Sequence, residues 1–229
     1  MISIIIPTYN EAATIKKTIE HLQQYDKDRL IKEIIIVDGG SIDTTLDITK
    51  SMGVRAIVSP KKGRAAQMNY GAALATEKIL YFLHADTIPP ENFIKDIYLA
   101  VKQGYGSGSY RLSFDYHHWF LQVNCWFTRF DVNAVRFGDQ SLFVQKDIFI
   151  KTGGYREDLL LIEDQEIIHR LKKHGKFIML SGQVITSARK YLDNGIYKMQ
   201  FIFYTIWLLY YLGFSQQYLL FLYKKKLKK

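Results

Sequence analysis

Ile79-Leu80-Tyr81-Phe82-Leu83-His84-Ala85-Asp86 is the stretch that decides the fold. A short apolar run of this kind reads as a buried strand. The carboxylate released at its carboxyl end stands where open α/β sheets bind their ligands. Upstream, Ile2-Ser3-Ile4-Ile5-Ile6 is stopped by Pro7, Glu33–Val37 runs into Asp38-Gly39-Gly40, and Val54–Val58 is a further β-branched run. Between them lie helical periodicities. Asn10 is expected to cap a helix to about Tyr25, with Ala13, Ile15, Ile19 and Leu22 on one face. Asp43 caps a short helix closed by Gly53, and Lys61-Lys62-Gly63-Arg64 turns into an Ala-rich helix from Ala65 to about Thr76. That β-α-β-α-β-α-β order predicts an α/β fold, a mainly parallel central sheet flanked by helices with right-handed crossovers. Asp38, Arg64 and Asp86 then share one rim.

The second half is less regular. Helices are expected over Glu91–Gln103, His117–Phe130 and Asp164–His174, with strands at Gly106–Phe114, Ser141–Val144, Phe177–Leu180 and Val184–Thr186. Met199–Phe214 holds sixteen residues without a formal charge, and Lys224-Lys225-Lys226-Leu227-Lys228-Lys229 follows shortly after. Sixteen is short of the roughly 20 apolar residues a spanning helix needs. Aromatic residues beside lysines suit a helix lying at a membrane interface, at about 1 kcal/mol per lysine near anionic lipid. The alternative is a helix packed on the domain or in a homodimer seam. The expected organisation is one domain over residues 1–190 and a C-terminal aromatic helical segment with a basic tail over 191–229.

At 229 residues, 48% hydrophobic and 23% charged, the chain has the composition of a globular protein with a full core. Its one cysteine, Cys125, excludes an internal disulfide framework and a Cys-rich zinc site. With no export signal visible, the expected location is the cytoplasm, at the inner face of the membrane. Of the net charge of +9, five charges lie in the last six residues, leaving +4 elsewhere. That distribution argues against a nucleic-acid-binding face.

Transfer of a sugar from a nucleoside diphosphate makes three demands. The departing diphosphate needs cations, the sugar carbon passes through an oxocarbenium-like state, and the acceptor hydroxyl needs a base. Asp86 is either a metal ligand or a helix cap, and His84 a polar wall residue or a second ligand. Asp38 is either a turn acid or a contact to nucleobase or ribose. Arg64 is placed before a helix N-terminus, where it contacts phosphate or nucleobase unless it faces solvent. Glu163-Asp164 precedes an amphipathic helix. In an extended segment two adjacent acids point apart, so one is a base and the other binds acceptor or caps the helix. Gly138-Asp139-Gln140 is a turn or an acceptor-side wall, and Arg189 a diphosphate clamp or a surface ion pair.

Taken in order, Ser3-Ile4-Ile5-Ile6-Pro7-Thr8-Tyr9-Asn10-Glu11, Ile36-Val37-Asp38-Gly39-Gly40-Ser41 with Asp43-Thr44, His84-Ala85-Asp86 and Glu163-Asp164 resemble a family 2 glycosyltransferase with the GT-A fold. Gly63-Arg64-Ala65-Ala66-Gln67-Met68-Asn69, Gly138-Asp139-Gln140 and Thr186-Ser187-Ala188-Arg189 are similar to a small bacterial subgroup whose relatives include enzymes glycosylating carotenoid carboxylates. The resemblance implies nucleotide-sugar contacts at Pro7, Thr8, Glu11, Asp38 and Arg64, a Mg²⁺ or Mn²⁺ ion on Asp86, and Asp164 as base in an inverting displacement. Asp86 and Arg189 join the donor contacts, and Asp139, Gln140 and Glu163 fall to the acceptor side. One departure stands out: the usual metal motif has two acids, and His84 replaces the first.

The reading is an inverting glycosyltransferase that uses a UDP- or GDP-sugar and a lipid-like or glycan acceptor near a membrane. A sugar-phosphate nucleotidyltransferase is the alternative enzyme, but Pro7–Glu11 lacks the glycines of a triphosphate loop. A non-catalytic peripheral membrane protein is the third reading.

Overall fold

The computed structural model describes residues 1–132, 136 and 138–226. Leu227, Lys228 and Lys229 of the basic tail lie outside the described residues.

Four parallel strands form one half of the sheet: β1 (Ile2–Thr8), β2 (Ile31–Asp38), β3 (Arg55–Val58) and β4 (Ile79–Phe82). They alternate with α1 (Ile15–Gln24), α2 (Thr45–Ser51) and α3 (Arg64–Leu74). The chain then adds β5 (Thr87–Ile88), α4 (Phe93–Lys102), β6 (Tyr105–Phe114), α5 (Trp119–Phe127), a 3₁₀ turn at Gly138–Gln140, β7 (Leu142–Gln145), α6 (Lys146–Thr152), α7 (Glu163–Leu171) and β8 (Lys176–Thr186). It closes with α8 (Arg189–Asn194), α9 (Ile196–Tyr211) and α10 (Gln216–Lys226). The eight strands order as β3-β2-β1-β4-β7-β6-β8-β5. The sheet is therefore mixed: β7 runs antiparallel to β4 and β6, and β5 antiparallel to β8.

β1 shows why the first half folds as it does. Ile4 and Ile6 face the cluster built with α1 and α4, and Ile5 faces α3 and α7, all fully buried. A strand covered on both faces reads as continuous isoleucine, and each such side chain contributes about 1.5–3 kcal/mol by burial. Gly71 lets α3 lie flat on this sheet, because a Cβ there would press on Ile5 and Val37. Register places Thr8 beside Asp38 and Asp38 beside Val58, so the carboxyl ends of the strands share one edge.

Three local expectations need correction. Asn10 does not cap α1, which starts at Ile15. Asn10 has φ of 56°, and its Oδ1 accepts from the Ile42 amide at 2.9 Å, tying the β1 loop to the turn before α2. Phe177–Leu180 and Val184–Thr186 are halves of one strand, β8, whose pairing to β6 shifts register between Tyr110 and Arg111. Glu163 and Asp164 lie in the first turn of α7, not in an extended segment.

α9 packs one stripe, Met199, Ile202 and Ile206, against Leu121, Ala188 and Tyr191. It leaves Phe201, Leu208 and Tyr211 exposed. The boundary expected at residue 190 falls inside α8, whose Tyr191 joins that same cluster. Among the described residues no helix is long and apolar enough to cross a membrane.

Candidate active site

The rim is assembled by the loops leaving β1, β2 and β4. Asp38, fully buried, accepts from the Thr8 and Ser41 hydroxyls at 2.9 and 2.6 Å and from the Gly40 and Ser41 amides at 2.8 and 2.7 Å. A carboxylate has about four acceptor positions. All are engaged within the chain, so Asp38 shapes the turn that borders the cleft. Gln67 does similar work from α3, its Nε2 donating to the carbonyls of Thr8 and Val37 at 2.8 and 2.7 Å.

The two-residue strand β5, which sequence reasoning missed, decides what meets Asp86. Thr87 pairs with Thr186, so Asp86 is brought beside the start of α8. Arg189 reaches back to Glu11, with Nη2 3.4 Å from Oε2. Burial, then Asp86, raises the Glu11 carboxyl above its ordinary range. Lys190, next in the chain, borders Asp86, Asp139 and Arg64 in the cleft. It was absent from the sequence expectations; its signal was its place beside Arg189 at the opening of a helix.

Asp164 is the centre of a second group. Arg64 donates through Nε to Glu163 Oε1 at 2.5 Å and lies 3.7 Å from Asp164 Oδ2 through Nη2. Both acids therefore address one guanidinium, as neighbours about 100° apart on a helix can. Its two partners hold the Arg64 guanidinium ionised against the effect of burial. His84 hydrogen-bonds Asp139 Oδ1 through Nδ1 at 2.6 Å, and its Nε2 is 4.0 Å from Asp164 Oδ2. Burial pulls His84 down, but its bond to Asp139 and the charges of Asp139 and Asp164 together outweigh that, and the imidazole titrates above its ordinary value. Asp139 is held well below the carboxylate range: burial opposes this, and His84, Lys190 and Arg64 overcome it. Asp164 is pushed up to about 6, chiefly by burial, with Glu163 adding to it and Arg64 opposing.

Backbone geometry makes room for that carboxylate. Gly138 lies against Asp164, and a Cβ at 138 would overlap Asp164 Oδ2. Ile162, a β-branched residue at φ 70°, precedes α7, and Ser141 at φ 57° follows the 3₁₀ turn. Non-glycine residues there cost about 1–3 kcal/mol each. With Asn10, three such positions flank the rim.

Two cavities meet at these groups. One, of about 150 Å³, runs past Pro7, Thr8, Glu11, Gln67 and His84. The other, of about 160 Å³, lies between Asp164 and the C-terminal helices, against Phe114, Tyr191, Phe203 and Trp207. Arg64, Asp86, Asp139 and Lys190 border both. Of the expected site residues, Asp38, Gln140, Glu163 and Arg189 line neither; for Gln140 the reason is its side chain. Its Nε2 donates to the Tyr110 carbonyl at 2.9 Å, bracing β6. Glu163 is buried behind Arg64.

Asp86 fits a hard divalent cation. It is a carboxylate at a strand end, raised above its ordinary range by burial and by Asp139, and an adjacent cation relieves both. His84 is turned to Asp139 and Asp164 instead. Among the described residues no group of three or more His, Cys, Asp or Glu side chains is arranged to hold an ion. Asp86 is the residue that would hold a Mg²⁺ or Mn²⁺, which would supply charge neutralisation for a departing diphosphate.

The half-parallel sheet with its acids and cations on the carboxyl rim defines a chain of GT-A fold. Solved structures bear this out. The Staphylococcus aureus TarS 1–349 structure superposes with a TM-score of 0.68 at 15% identity, covering 84% of this chain and 62% of that one. The mannosyltransferase PcManGT from Pyrobaculum calidifontis, solved with GDP-Man and Mn²⁺, gives 0.70 at 16% identity over 90% of this chain and 61% of its own. The chain belongs to glycosyl transferase family 2, whose model matches residues 3–149. Among curated relatives, glycosyltransferase GlyG of Streptococcus pneumoniae is 30% identical over 109 residues, 45% of this chain and 36% of that protein. A PGL/p-HBAD biosynthesis glycosyltransferase of Mycobacterium bovis is 39% identical over 92 residues, 38% of this chain and 35% of that protein. The match therefore spans little more than a third of these relatives.

Proposed function

We propose that this chain moves a sugar, with inversion, from a UDP- or GDP-sugar to a hydroxyl or carboxylate of a lipid-like acceptor near a membrane. The observation that carries the reading is the position of Asp164: it borders the aromatic cavity beside Arg64 and His84, with its carboxyl pushed up to about 6. A base that titrates near the working pH is effective in proton transfer. In this reading the donor occupies the cleft past Pro7, Thr8 and Glu11, and the acceptor enters from the aromatic side. Asp164 takes the proton of the acceptor hydroxyl as its oxygen bonds to the anomeric carbon. The bond from that carbon to the diphosphate breaks, and the electron pair leaves with the diphosphate. Lys190 and Arg189 are placed to meet the charge that develops there. A divalent cation on Asp86 would supply further stabilisation of the leaving group. Arg64 keeps the Asp164 carboxylate oriented, and Glu163 behind it keeps Arg64 in place.

The membrane part of the reading is supported by the outer surface. Trp119, Trp126, Phe127 and Phe130 around α5 and Phe201 and Leu208 on α9 are exposed. Arg129 lies over Trp126 at 4.5 Å, and Lys224, Lys225 and Lys226 end α10. Aromatic rings beside cations suit the headgroup layer of an anionic bilayer. A Methanococcus voltae relative, 31% identical over 102 residues, is named for transfer to a dolichyl-linked sugar phosphate.

A thermal-shift screen of the full chain with UDP, GDP, TDP and their sugars, with and without Mn²⁺, tests the donor. At least one diphosphate should raise the melting temperature, more so with Mn²⁺; silence across the panel would remove the reading.

A further inference from the structure

Gln67 holds one polar atom that neither the fold nor the proposed transfer uses. Its Nε2 spends both hydrogens on the carbonyls of Thr8 and Val37, at 2.8 and 2.7 Å. The carboxamide is thereby pinned across the carboxyl ends of β1 and β2. Turning it over would set its oxygen against two carbonyls, so the orientation is locked. Among the described residues nothing donates to its Oε1. The side chain is only 5% exposed and borders the donor cleft, to which Oε1 stays open. Gly39 keeps it so: a Cβ there would stand 3.4 Å from Oε1 and 3.2 Å from Nε2. An acceptor held this firmly, with no donor of its own, is uncommon in a side chain so nearly buried.

Its place in the cleft narrows what it meets. Gln67 stands over β1 and β2, whereas Asp86 and Lys190 follow β4 and β8. Neighbouring strands lie about 4.8 Å apart, so the sheet sets this neutral acceptor apart from the charged end of the cleft. A phosphate oxygen is repelled by an amide oxygen and drawn to Lys190. The sugar to be transferred lies toward Asp164. What remains for the Gln67 end is the nucleoside. Tyr9, 60% exposed, borders the same cleft and supplies an aromatic ring on which a base can stack. Asp38 is not free to read that base, because its acceptor positions are filled within the chain.

We infer that Gln67 selects the donor by its base, resting on the transfer reaction proposed above. Its fixed oxygen accepts from a ring N–H, which uracil and thymine carry at N3 and guanine at N1. Cytosine and adenine present a lone pair at those positions. Their diphosphates would leave Oε1 and a ring nitrogen facing each other without a proton between them. The assignment moves base recognition from the strand-end acid Asp38 to an amide on α3.

Calorimetric titration of the full chain with UDP, GDP, CDP and ADP, each with Mn²⁺, tests it. UDP should bind at least about tenfold tighter than CDP, or GDP than ADP, the cost of leaving one hydrogen bond unmade. The N3-methyl form of UDP, or the N1-methyl form of GDP, should lose about the same factor. In Gln67→Leu the preferred diphosphate should fall to within about threefold of its CDP or ADP counterpart. A general packing defect would instead weaken every nucleotide alike and keep the preference. If Gln67→Leu fails to melt cooperatively, Gln67→Met takes its place; if neither folds, the methylated nucleotides on the wild type decide. Equal binding of the paired nucleotides by the wild type, unchanged affinity for the methylated form, or a preference that survives in a folded variant would each overturn the assignment. All three leave the transfer reading standing. Binding of no diphosphate at all would defeat the transfer reading and this assignment with it.

Discussion

Asp164→Asn should abolish transfer and yet make the protein more stable, by an amount that grows with pH. The structure sets the size. The Asp164 carboxyl is pushed from 3.8 in the unfolded chain up to about 6 by burial and by Glu163. Below 3.8 both states hold the proton, and the group contributes nothing. Between 3.8 and 6 the folded state keeps a proton that the unfolded state has released, so stability falls as pH rises. Above 6 the full cost of about 3 kcal/mol is present, at 1.36 kcal/mol per pKa unit. At pH 5 the same relation leaves about half of that cost. Asparagine keeps the shape and removes the charge, while Arg64 retains Glu163 as partner. The variant's advantage over the wild type should therefore grow by about 1–2 kcal/mol between pH 5 and pH 8. That corresponds to roughly 3–6 °C in melting temperature for a chain of this size. Urea denaturation of both proteins at the two pH values measures it, with donor turnover followed in parallel. A variant equally advantaged at both pH values, or less stable at pH 8, would refute the burial argument. Retained turnover would remove Asp164 as the base.

The wild-type kcat/KM should rise with pH along a limb of apparent pKa near 6, because Asp164 must be ionised to accept a proton; a flat profile from pH 5 to 8 would count against it. Gly138→Ala drives a methyl group into Asp164 Oδ2, and kcat should fall about 100-fold, the cost of misplacing a reacting group by about 1 Å. Its diphosphate affinity should hold, since Gly138 borders the acceptor side; equal losses in both would mean a general folding defect. Asp86→Asn should weaken Mn²⁺-dependent diphosphate binding by at least about tenfold, the scale seen for weaker perturbations of metal sites. Diphosphate binding by the metal-stripped wild type that EDTA leaves unchanged would remove the cation from Asp86.

The first half of the fold was legible because its signals are local. Isoleucine runs stopped by Pro7 and Asp38, and an Ala-rich helix after a basic turn, each state an element within about ten residues. The rim was legible for the same reason, since Asp38, Arg64 and Asp86 sit at the ends of those elements. The second half depends on pairing between distant segments. β5 is two residues long and exists because Thr87 meets Thr186. No periodicity announces such a strand, and with it went the sight of Lys190. The direction of side chains was equally hidden. Asp38 turned out to be engaged by four internal hydrogen bonds and Gln140 by the Tyr110 carbonyl, facts set by tertiary packing. Asn10 failed as a cap because Ile42, thirty-two positions on, had taken its oxygen.

The charge balance of the rim bears on how the donor arrives. Glu11, Asp86, Asp139, Glu163 and Asp164 crowd around Arg64, Arg189 and Lys190. Arg64 is engaged by Glu163 and Asp164, and Arg189 leans on Glu11, so Lys190 is the cation with charge to spare beside Asp86 and Asp139. A diphosphate entering here brings more negative charge against two carboxylates. At about 4 Å and an effective dielectric of 20, each like-charge pair costs about 4 kcal/mol, which one lysine does not offset. In the proposed reading, a divalent cation held by Asp86 would reverse the sign of that encounter. Donor and cation affinities would then be coupled, each raising the other by the same factor. The replacement of the first acid by His84 fits this economy: another free carboxylate would deepen the repulsion, whereas His84 binds Asp139 and titrates above its ordinary value.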